Sequence, residues 1–443
     1  DGNDVINELA DGGTADRISI LSNVIDPVSG LPVIGSLNAA DTNTGTQNGN
    51  LVISYEGQQI TVNGHYGGTN AQTGVELINF NGATFNGYLL EGDYVVSRAD
   101  PANRDAGGVN LSVGVGNTQR NFVAGEDGVN DGIIGGALND LVFGGTGDNN
   151  LSGGDGDDLL VGGSGNGDND LLDGSVGADT MVGLNGNDTY VVDDAADVIV
   201  EAAGANTGTD TVNTALAALS LAPYANVENL TYTGADADQF VGTGNALSNT
   251  ITGGDLNDTL SGLGGNDTLA GGLGADAMTG GDGDDVYFVD DAGDAVTEAA
   301  LATSGVDRVE AAISYVLGAN VENLDLNDGA VDGSGNTLAN VINGNGAANL
   351  LLGGGGADTI NGGDGADVVD GGDGDDTLNG GTGGDADIII GGAGNDTIDV
   401  GNGNDVLVYN ASGFGADIAT NFDAADGTPA TQDLINLSAL GVT

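Results

Sequence analysis

The chain has 443 residues, of which 67 are Asp or Glu and only 5 are Lys or Arg, so its formal net charge at neutral pH is −62. This acidity excludes nucleic acid and anionic membranes as partners, because both carry phosphate groups that need a basic surface. With no Cys and one His, the chain cannot assemble thiolate, zinc or haem sites, and metals with oxygen ligands, chiefly calcium, remain as partners.

Glycine accounts for 85 residues and Pro for only 5, a combination that predicts many tight turns and excludes collagen. No apolar run approaches the roughly 18 residues that a membrane span needs, so we predict no membrane insertion. Residues 1–6 (DGNDVI) read like the second half of a unit that recurs later in the chain. We therefore interpret residues 1–13 as a partial repeat and the chain as a segment of a longer polypeptide.

The next segment, residues 14–120, has fewer glycine turns and longer alternating runs, such as LVISY at 51–55 and QITV at 59–62. Alternation of apolar and polar residues predicts strands with one buried face, so we expect a β module here. His65 is the only His of the chain and has no Cys or second His to act with. We expect it to be a turn or strand residue with no catalytic or metal role.

From residue 135 onward the sequence repeats with a period of nine residues, as in GGALNDLVF at 135–143 and GGDGDDLLV at 153–161. The pattern is G-G-x-G-x-D-x-U-x, in which U is apolar. The repeats fall into three blocks, which cover residues 121–192, 242–288 and 333–408.

Each position of this unit has a physical role. The glycines allow the positive φ angles of a tight turn whose carbonyl groups point inward, and the last three residues form a short strand. Only the U residue of that strand points to the interior, so one residue in nine forms the core. The predicted core residues are Val142, Leu151, Leu160, Leu172, Met181, Tyr190, Ile251, Leu260, Leu269, Met278, Tyr287, Ile342, Leu351, Ile360, Val369, Leu378, Ile389, Ile398 and Leu407.

If two units form one turn of a solenoid, each acid stacks on the acid 18 residues later, as Asp258 on Asp276 and Asp358 on Asp376. Stacked strands lie about 4.8 Å apart, and two unit charges at that distance repel by roughly 3 kcal/mol at an effective dielectric of about 20. One buried Leu or Ile per unit contributes only about 1.5 to 3 kcal/mol, and ordering nine residues costs several times more. We therefore expect the metal-free chain to be unfolded, and a dication between the turns to couple binding to folding.

These units resemble the nonapeptide repeats of the RTX (repeats-in-toxin) family of secreted bacterial proteins. The resemblance implies an all-β fold, a right-handed parallel β-roll or β-solenoid with calcium ions in rows between its turns, and export by a type I secretion system with folding outside the cell. The ligands that it implies are the sixth-position acids Asp140, Asp158, Asp170, Asp179, Asp188, Asp258, Asp267, Asp276, Asp285, Asp358, Asp367, Asp376, Asp387, Asp396 and Asp405. Carbonyl groups of the glycine turns complete the implied sites, among them those of Gly153, Gly271, Gly280, Gly362, Gly371 and Gly391.

Some units depart from the pattern. Asn replaces the acid at Asn149, Asn249, Asn340 and Asn349, which removes a charge and is expected to weaken or empty those sites. Insertions at 162–173 and 380–390 are expected to bulge out of one row of turns. This makes the acids that they contain, Asp170 and Asp387, weaker candidates as ligands than the others.

Two spacers, 193–241 and 289–332, separate the blocks and are duplicates, since YVVDDAADVIVEAA at 190–203 recurs as YFVDDAGDAVTEAA at 287–300. Their short apolar runs between Gly, Asn and Asp clusters predict strands, and we expect calcium-free turns that continue the solenoid. Residues 215–222 are rich in Ala and Leu and suit either a strand or a short helix.

Both ends of the repeat array are expected to carry β capping modules. Residues 51–90 resemble the small β module that often flanks RTX arrays, and residues 409–443 resemble the closing segment that follows them. The residues expected to cover the last turn are Phe422, Leu434, Ile435 and Leu437.

Three functions remain open at this point. The first is a calcium-stiffened extracellular scaffold, such as an adhesin, surface-layer or filament element. The second is the non-catalytic tail of a large secreted peroxidase, protease or lipase, and the third, less favoured, is an enzyme that acts on polysaccharide. We predict no catalytic residue, because the chain has no Lys for a P-loop, no G-x-S-x-G motif and only one His. Beyond calcium, the partners considered are further copies of the chain and cell-surface polysaccharide.

Overall fold

The computed structural model describes the backbone of strands between residues 4 and 113, and both backbone and side chains over most of the chain from residue 120 (the side chains of 122 and 124 excepted). The ranges described from there on are 120–125, 130–163, 167–201, 208–234, 238–300, 305–329, 331–409, 414–422 and 432–437. These residues form strands and turns without any helix, so the predicted all-β class is confirmed. In the same ranges, no helix offers the length and apolar character that a membrane crossing requires.

The chain forms two compact units. The first comprises Asp1–Leu216 and Pro223–Thr233, and the second comprises Ala217–Ala222 and Gly234–Thr443. Each unit contains a parallel β-solenoid whose successive turns are joined by strand pairing along its sheets. The predicted β-solenoid is therefore confirmed.

The first unit contains three sheets. The smallest has, in spatial order, Asp4–Asn7, Gln58–Tyr66 and Gly49–Tyr55. The second has Val198–Val200, Thr180–Leu184, Leu159–Gly163, Leu141–Phe143, Arg120–Ala124, Tyr88–Arg98, Glu76–Phe85 and Arg17–Ile20. The third has, within this unit, Asn110–Val113, Asp131–Ala137, Asn150–Asp155, Leu171–Val176, Thr189–Val192, Thr211–Thr214 and Asn229–Tyr232.

Antiparallel hairpins precede the solenoid of the first unit. Gly49–Tyr55 pairs antiparallel with Gln58–Tyr66, and Glu76–Phe85 pairs antiparallel with Tyr88–Arg98. Tyr88–Arg98 also pairs in parallel with Arg120–Ala124, from which the stack of repeat strands continues. This direct connection is what a capping module would need, and the cap itself stays a prediction.

Two further N-terminal predictions fall partly beyond the described residues. Within the predicted partial repeat 1–13, Asp4–Asn7 forms a strand parallel to Gln58–Tyr66. His65 lies in the strand Gln58–Tyr66, and its side chain is outside the described residues.

The second unit also contains three sheets. One has Ala218–Ser220, Val241–Thr243, Thr259–Gly264, Ala277–Asp282 and Ala295–Thr297. Another has Tyr315–Val316, Asp332–Ser334, Leu350–Gly355, Val368–Asp373, Ile388–Ala393, Val406–Val408 and Leu434–Asn436. The third has Thr250–Thr252, Thr268–Ala270, Val286–Val289, Arg308–Ala311, Asn323–Leu326, Val341–Asn343, Thr359–Asn361, Thr377–Asn379, Thr397–Asp399 and Ile418–Thr420.

Successive turns stack in register, so that the U residues lie above one another. Val142 pairs with Leu160 in the first unit, and Ile360 pairs with Leu378 in the second. Every U residue predicted from the sequence is buried, and none is more than 1% exposed. Their inward orientation is thus confirmed, because alternate units supply strands to facing sheets and each U side chain enters the space between them.

The tight turns between these strands need glycine at the second and fourth positions of the unit. In the unit that begins at Gly153, Gly154 and Gly156 have φ angles of +112° and +129°, which L side chains rarely adopt. A Cβ on Gly154 would also overlap the carbonyl oxygen of Gly136, one turn away. The missing side chain therefore lets the turns stack at close range.

The spacers contribute strands to the same sheets. Within residues 215–222, for which a strand and a short helix were both open, Ala218–Ser220 form a strand parallel to Val241–Thr243. The matching strand of the second spacer is Tyr315–Val316, which pairs with Asp332–Ser334. Pairing with a neighbouring turn satisfies the backbone groups of these segments, so a helix is not needed for that purpose.

The closing segment lies beside the last repeat turn. Leu434–Asn436 pairs in parallel with Val406–Val408 and places Ile435 opposite Leu407. Leu434 and Ile435 are nevertheless 60% and 53% exposed. They extend the stack by one strand, and among the described residues no further turn covers them in return.

Candidate metal sites

The acid at the sixth position of each unit is buried between stacked turns. Its Oδ1 atom accepts a hydrogen bond from the backbone N–H of the residue at the equivalent position one turn earlier, which is an acid in most units and Asn or Phe in the others. Asp158 Oδ1 accepts from Asp140 N–H at 2.6 Å, and Asp376 Oδ1 accepts from Asp358 N–H at 2.8 Å. The predicted stacking of acids at a spacing of 18 residues is therefore present in the structure.

The second carboxylate oxygen of these acids is buried but has no hydrogen-bond partner in the described part of the chain. This holds for the Oδ2 atoms of Asp140, Asp158, Asp170, Asp179, Asp188, Asp267, Asp276, Asp285, Asp358, Asp367, Asp376, Asp396 and Asp405. A buried carboxylate oxygen without a donor is costly. A cation beside it removes that cost.

The first-position glycine faces this oxygen in each of these units except that of Asp405, which has Val400 at the first position. A Cβ on Gly371 would overlap both Asp376 Oδ2 and the carbonyl oxygen of Gly391 in the next turn. The absent side chain thus keeps a space open between one carboxylate oxygen and one carbonyl oxygen. Among the carbonyls predicted as ligands, those that take this position relative to the preceding turn are Gly153, Gly271, Gly371 and Gly391, whereas that of Gly362 lies beside the amide oxygen of Asn349.

Gly280 is arranged differently from the other predicted glycines. Its N–H donates hydrogen bonds to Tyr287 Oη at 2.7 Å and to Glu298 Oε1 at 3.1 Å. A Cβ at this position would overlap Asp285 Oδ2 and Tyr287 Oη. The space beside Gly280 is therefore lined by side-chain oxygens.

Burial perturbs the ionisation of the acids. Desolvation raises the pKa of Asp158 from 3.8 to about 8, and repulsion by Asp140 and Asp179 adds to the rise. Desolvation likewise raises the pKa of Asp188 to about 8 and that of Asp376 to about 6. In the absence of a cation, Asp158 and Asp188 thus resist ionisation at neutral pH. The donor set of carboxylate and carbonyl oxygens is the one that calcium prefers.

Three of the predicted acids differ from the others in their hydrogen bonds or in their place in the repeat. Asp258 differs because its Oδ2 accepts a hydrogen bond from Gly254 N–H at 2.6 Å. Asp170 and Asp387 stay in their rows despite the insertions: Asp170 N–H donates to Asp188 Oδ1 at 2.8 Å and Asp387 N–H to Asp405 Oδ1 at 2.9 Å. Their backbone positions therefore match those of the other acids, and their role as ligands stays a prediction.

In the turns that carry Asn, the side-chain amide has hydrogen-bond partners. Asn349 Oδ1 accepts from Asn345 N–H at 2.9 Å, and its Nδ2 donates to the carbonyl oxygen of Val331 at 2.9 Å. Asn149 Nδ2 donates to Gly147 O at 2.7 Å in the same way. The amide nitrogen thus donates to a carbonyl oxygen, whereas an Asp at this position has no N–H to donate. This supports the expectation that the Asn turns are poor in calcium.

The structure also brings together acids that the repeat pattern did not predict as ligands. Carboxylate oxygens of Asp188, Glu201 and Asp210 lie within 4.8 Å of one another. The same arrangement recurs at the end of the second block, with its members Asp285, Glu298 and Asp307. The spacer residues were missed because they lie outside the nonapeptides. The signal that could have found them is the duplication of the spacers, in which Glu201 and Asp210 recur 97 residues later.

Comparison with known families bears directly on these rows of acids. A family model described as the RTX calcium-binding nonapeptide repeat (4 copies) matches residues 134–168, 164–199, 252–287, 334–369, 352–386 and 382–411. The matched ranges contain the rows of buried acids described above. No curated protein matches the chain.

Proposed function

We propose that this chain is a calcium-folded extracellular module that serves as a structural scaffold, because residues in each of its three blocks match the RTX calcium-binding nonapeptide repeat. The observation that carries the proposal is the row of buried Oδ2 atoms without a donor among the described residues, all but that of Asp405 beside a first-position glycine. Such a row is unfavourable in a metal-free fold and favourable once cations lie between the turns.

The role of each group follows from the geometry. In the unit of Asp376, the carboxylate would supply Oδ2 while its Oδ1 continues to hold the N–H of Asp358 at 2.8 Å. The Gly391 carbonyl would supply a neutral oxygen from the next turn. Calcium bound there would neutralise the acids and join consecutive turns, so that binding and folding are one process.

An extracellular location agrees with this chemistry. RTX repeats are typical of secreted bacterial proteins, and calcium sites of extracellular modules commonly have dissociation constants of about 10⁻⁴ to 10⁻³ M. A chain of net charge −62 would stay extended where calcium is scarce and fold where it is plentiful.

The experiment that tests calcium-dependent folding is far-ultraviolet circular dichroism of metal-stripped protein during a calcium titration. We expect a coil spectrum without calcium and a β spectrum at millimolar calcium. Asp376→Asn should raise the calcium midpoint and lower the number of bound ions measured by calorimetry. The matched control is Asp373→Asn, an exposed acid three residues away, which should change neither quantity. A metal-stripped protein with the full β spectrum would contradict the proposal.

The second candidate is the non-catalytic tail of a large secreted enzyme, which would use the same calcium chemistry. Electron microscopy of the calcium-loaded protein separates the two, since ordered assemblies are expected only of a scaffold. Screening the chain against acidic polysaccharides tests the third candidate, and turnover by this chain would favour an enzyme instead.

A further inference from the structure

Two clusters of acids, one at the end of each of the first two blocks, differ from the ordinary repeat turns. We name them the junction clusters: Asp188, Glu201 and Asp210 form the first, and Asp285, Glu298 and Asp307 form the second. In each, the last repeat unit supplies one Asp, and the following spacer supplies the Glu and the second Asp. Three carboxylates therefore meet where an ordinary turn places one Oδ2 beside a carbonyl.

The junction clusters are deeply buried. Asp210 and Asp307 are fully buried, and the two glutamates, Glu201 and Glu298, are 5% and 7% exposed. Arg308 follows Asp307 in sequence, but its guanidinium pairs with Asp325 at 3.3 Å. Three carboxylates in one buried space cannot all be ionised without a neighbouring positive charge.

A second and independent observation points to a ligand. The Oδ2 atoms of the four cluster aspartates lack any hydrogen-bond partner among the described residues, and those of Asp188 and Asp285 lie beside Gly183 and Gly280, next to the glutamate and the tyrosine of their clusters. The four aspartates are Asp188, Asp210, Asp285 and Asp307, none of which is more than 1% exposed. Their Oδ1 atoms are already used, since Asp188 N–H donates to Asp210 Oδ1 at 2.8 Å and Asp285 N–H to Asp307 Oδ1 at 2.9 Å.

The glutamates are held in place by tyrosines of the core. Tyr190 Oη donates a hydrogen bond to Glu201 Oε1, and Tyr287 Oη donates to Glu298 Oε1. A Cβ on Gly183 would overlap Tyr190 Oη, Asp188 Oδ2 and Glu201 Oε1 together. The same arrangement occurs at two places 97 residues apart, so the Tyr and Glu positions are both part of the duplicated segment.

The other row of turns ends without such a cluster. Asp197 Oδ2 accepts hydrogen bonds from the N–H groups of Asp193 and Asp194 at 3.3 and 3.2 Å. In the second spacer, Asp294 Oδ2 accepts from the N–H of Asp290 and of Asp291, both at 3.0 Å. Backbone donors therefore close that row, whereas in the junction clusters the Oδ2 atoms of both aspartates have no donor among the described residues.

We propose that each junction cluster is a divalent-cation site in which the spacer glutamate supplies a third carboxylate. The proposal rests on the proposed calcium-binding function and adds to it a second kind of site. Because affinity for such cations rises with the number of charged ligands, the junction sites fill at lower calcium than the repeat sites. Their occupation attaches the first turn of each spacer to the block before it, so the spacers are not calcium-free.

Terbium provides a test, because the ion occupies calcium sites and emits when an excited tyrosine lies beside it. The chain has no Trp, so excitation reports on tyrosines alone. We expect tyrosine-sensitised emission to appear at lower metal concentration than the β spectrum. Glu201→Gln together with Glu298→Gln should abolish most of the emission and raise its midpoint by at least about tenfold. The matched control, Glu310→Gln, should leave both unchanged.

Further variants keep the outcome unambiguous. Tyr190→Phe with Tyr287→Phe removes the tyrosines of the junction clusters and should abolish the emission that appears at low metal concentration, while the calcium-induced β spectrum remains. If the double Gln variant does not fold in calcium, the single variants Glu201→Gln and Glu298→Gln should each lose about half of the emission. Emission and midpoint equal to those of the wild type in the Gln variants would overturn the junction sites. A β spectrum of the wild type that ignores calcium would overturn the proposed function instead.

Discussion

At the sixth position of a unit, one atom distinguishes Asp from Asn: a carboxylate oxygen can accept a cation, whereas an amide nitrogen donates a hydrogen bond. Asp376 presents an Oδ2 with no donor in the described part of the chain, whereas Asn349 presents an Nδ2 that donates to Val331 O at 2.9 Å. The two side chains have nearly the same size, so the difference is one of charge and donor capacity. On the proposed function, the turns that carry Asp at this position depend on calcium and those that carry Asn do not.

The first-position glycine can be tested at the same scale. Gly353→Ala would place a Cβ against Asp358 Oδ2 and Gly371 O, so we expect it to destabilise the calcium-loaded fold by about 1 to 3 kcal/mol through overpacking. Gly355→Ala, in the same strand, meets Asp373 only at ordinary distances of 3.8 and 4.0 Å. It should change stability by no more than about 0.5 kcal/mol. Thermal unfolding in calcium measures both, and equal effects would argue against a constricted site.

At the scale of the element, each strand contributes little and depends on its neighbours. A strand such as Thr268–Ala270 buries one U side chain, Leu269, and pairs with the strands one turn before and one turn after it. Since every turn stacks mainly on adjacent turns, stability is approximately a sum over turns and their interfaces. On the proposed function, calcium between turns strengthens those interfaces.

Substitution of a core residue should therefore lower the stability of the protein measurably, although each strand contributes little. Leu269→Ala removes a fully buried side chain and should destabilise the calcium-loaded protein by about 2 to 5 kcal/mol. Leu273→Ala, four residues later, removes a side chain that is 61% exposed and should cost less than about 0.5 kcal/mol. Chemical denaturation in saturating calcium distinguishes the two. A similar loss at both positions would contradict the inward placement of the U residues.

At the scale of the whole molecule, the acidic composition makes stability depend on both pH and calcium. The pKa of Asp158 and that of Asp188 are raised by burial to about 8, above the ordinary value of 3.8. In metal-free protein, these groups bind more protons folded than unfolded, so the stability of the fold falls as pH rises from about 4 to about 8. Exposed carboxylates titrate near pH 4, so the range from pH 6 to pH 8 reports on the buried ones.

We therefore expect metal-stripped protein to show more β structure at pH 6 than at pH 8. In the presence of calcium, we expect less β structure at pH 6 than at pH 8. The reason is that protons compete with calcium for the same carboxylates and raise the calcium midpoint as pH falls. Circular dichroism at the two pH values, with and without calcium, measures both trends. A metal-free protein with more β structure at pH 8 than at pH 6 would contradict the raised pKa values.

Much of the repeat architecture could be predicted from the sequence, because one spacing determines every contact of a tandem array. The nine-residue period identified the inward residues, such as Leu160 and Ile360, and the stacking of Asp358 on Asp376. The choice between strand and helix at residues 215–222 could not be made in this way, since a short Ala and Leu run suits both until its neighbours are known. Strand pairing of Ala218–Ser220 decided it.

The sequence by itself determined the solenoid, its core and the candidate ligand rows, since these depend on composition and on a regular period. Only the tertiary structure decided which oxygens lack donors and how each row ends. It showed that Asp258 Oδ2 is bonded to Gly254 N–H, that backbone donors close the row at Asp197, and that Glu201 joins Asp188. Hydrogen bonds such as that of Asp258 depend on the local path of its turn. The ends of the rows could not be predicted because the spacers break the period, so their contacts depend on the path of the chain and on the hydrogen bonds made along it.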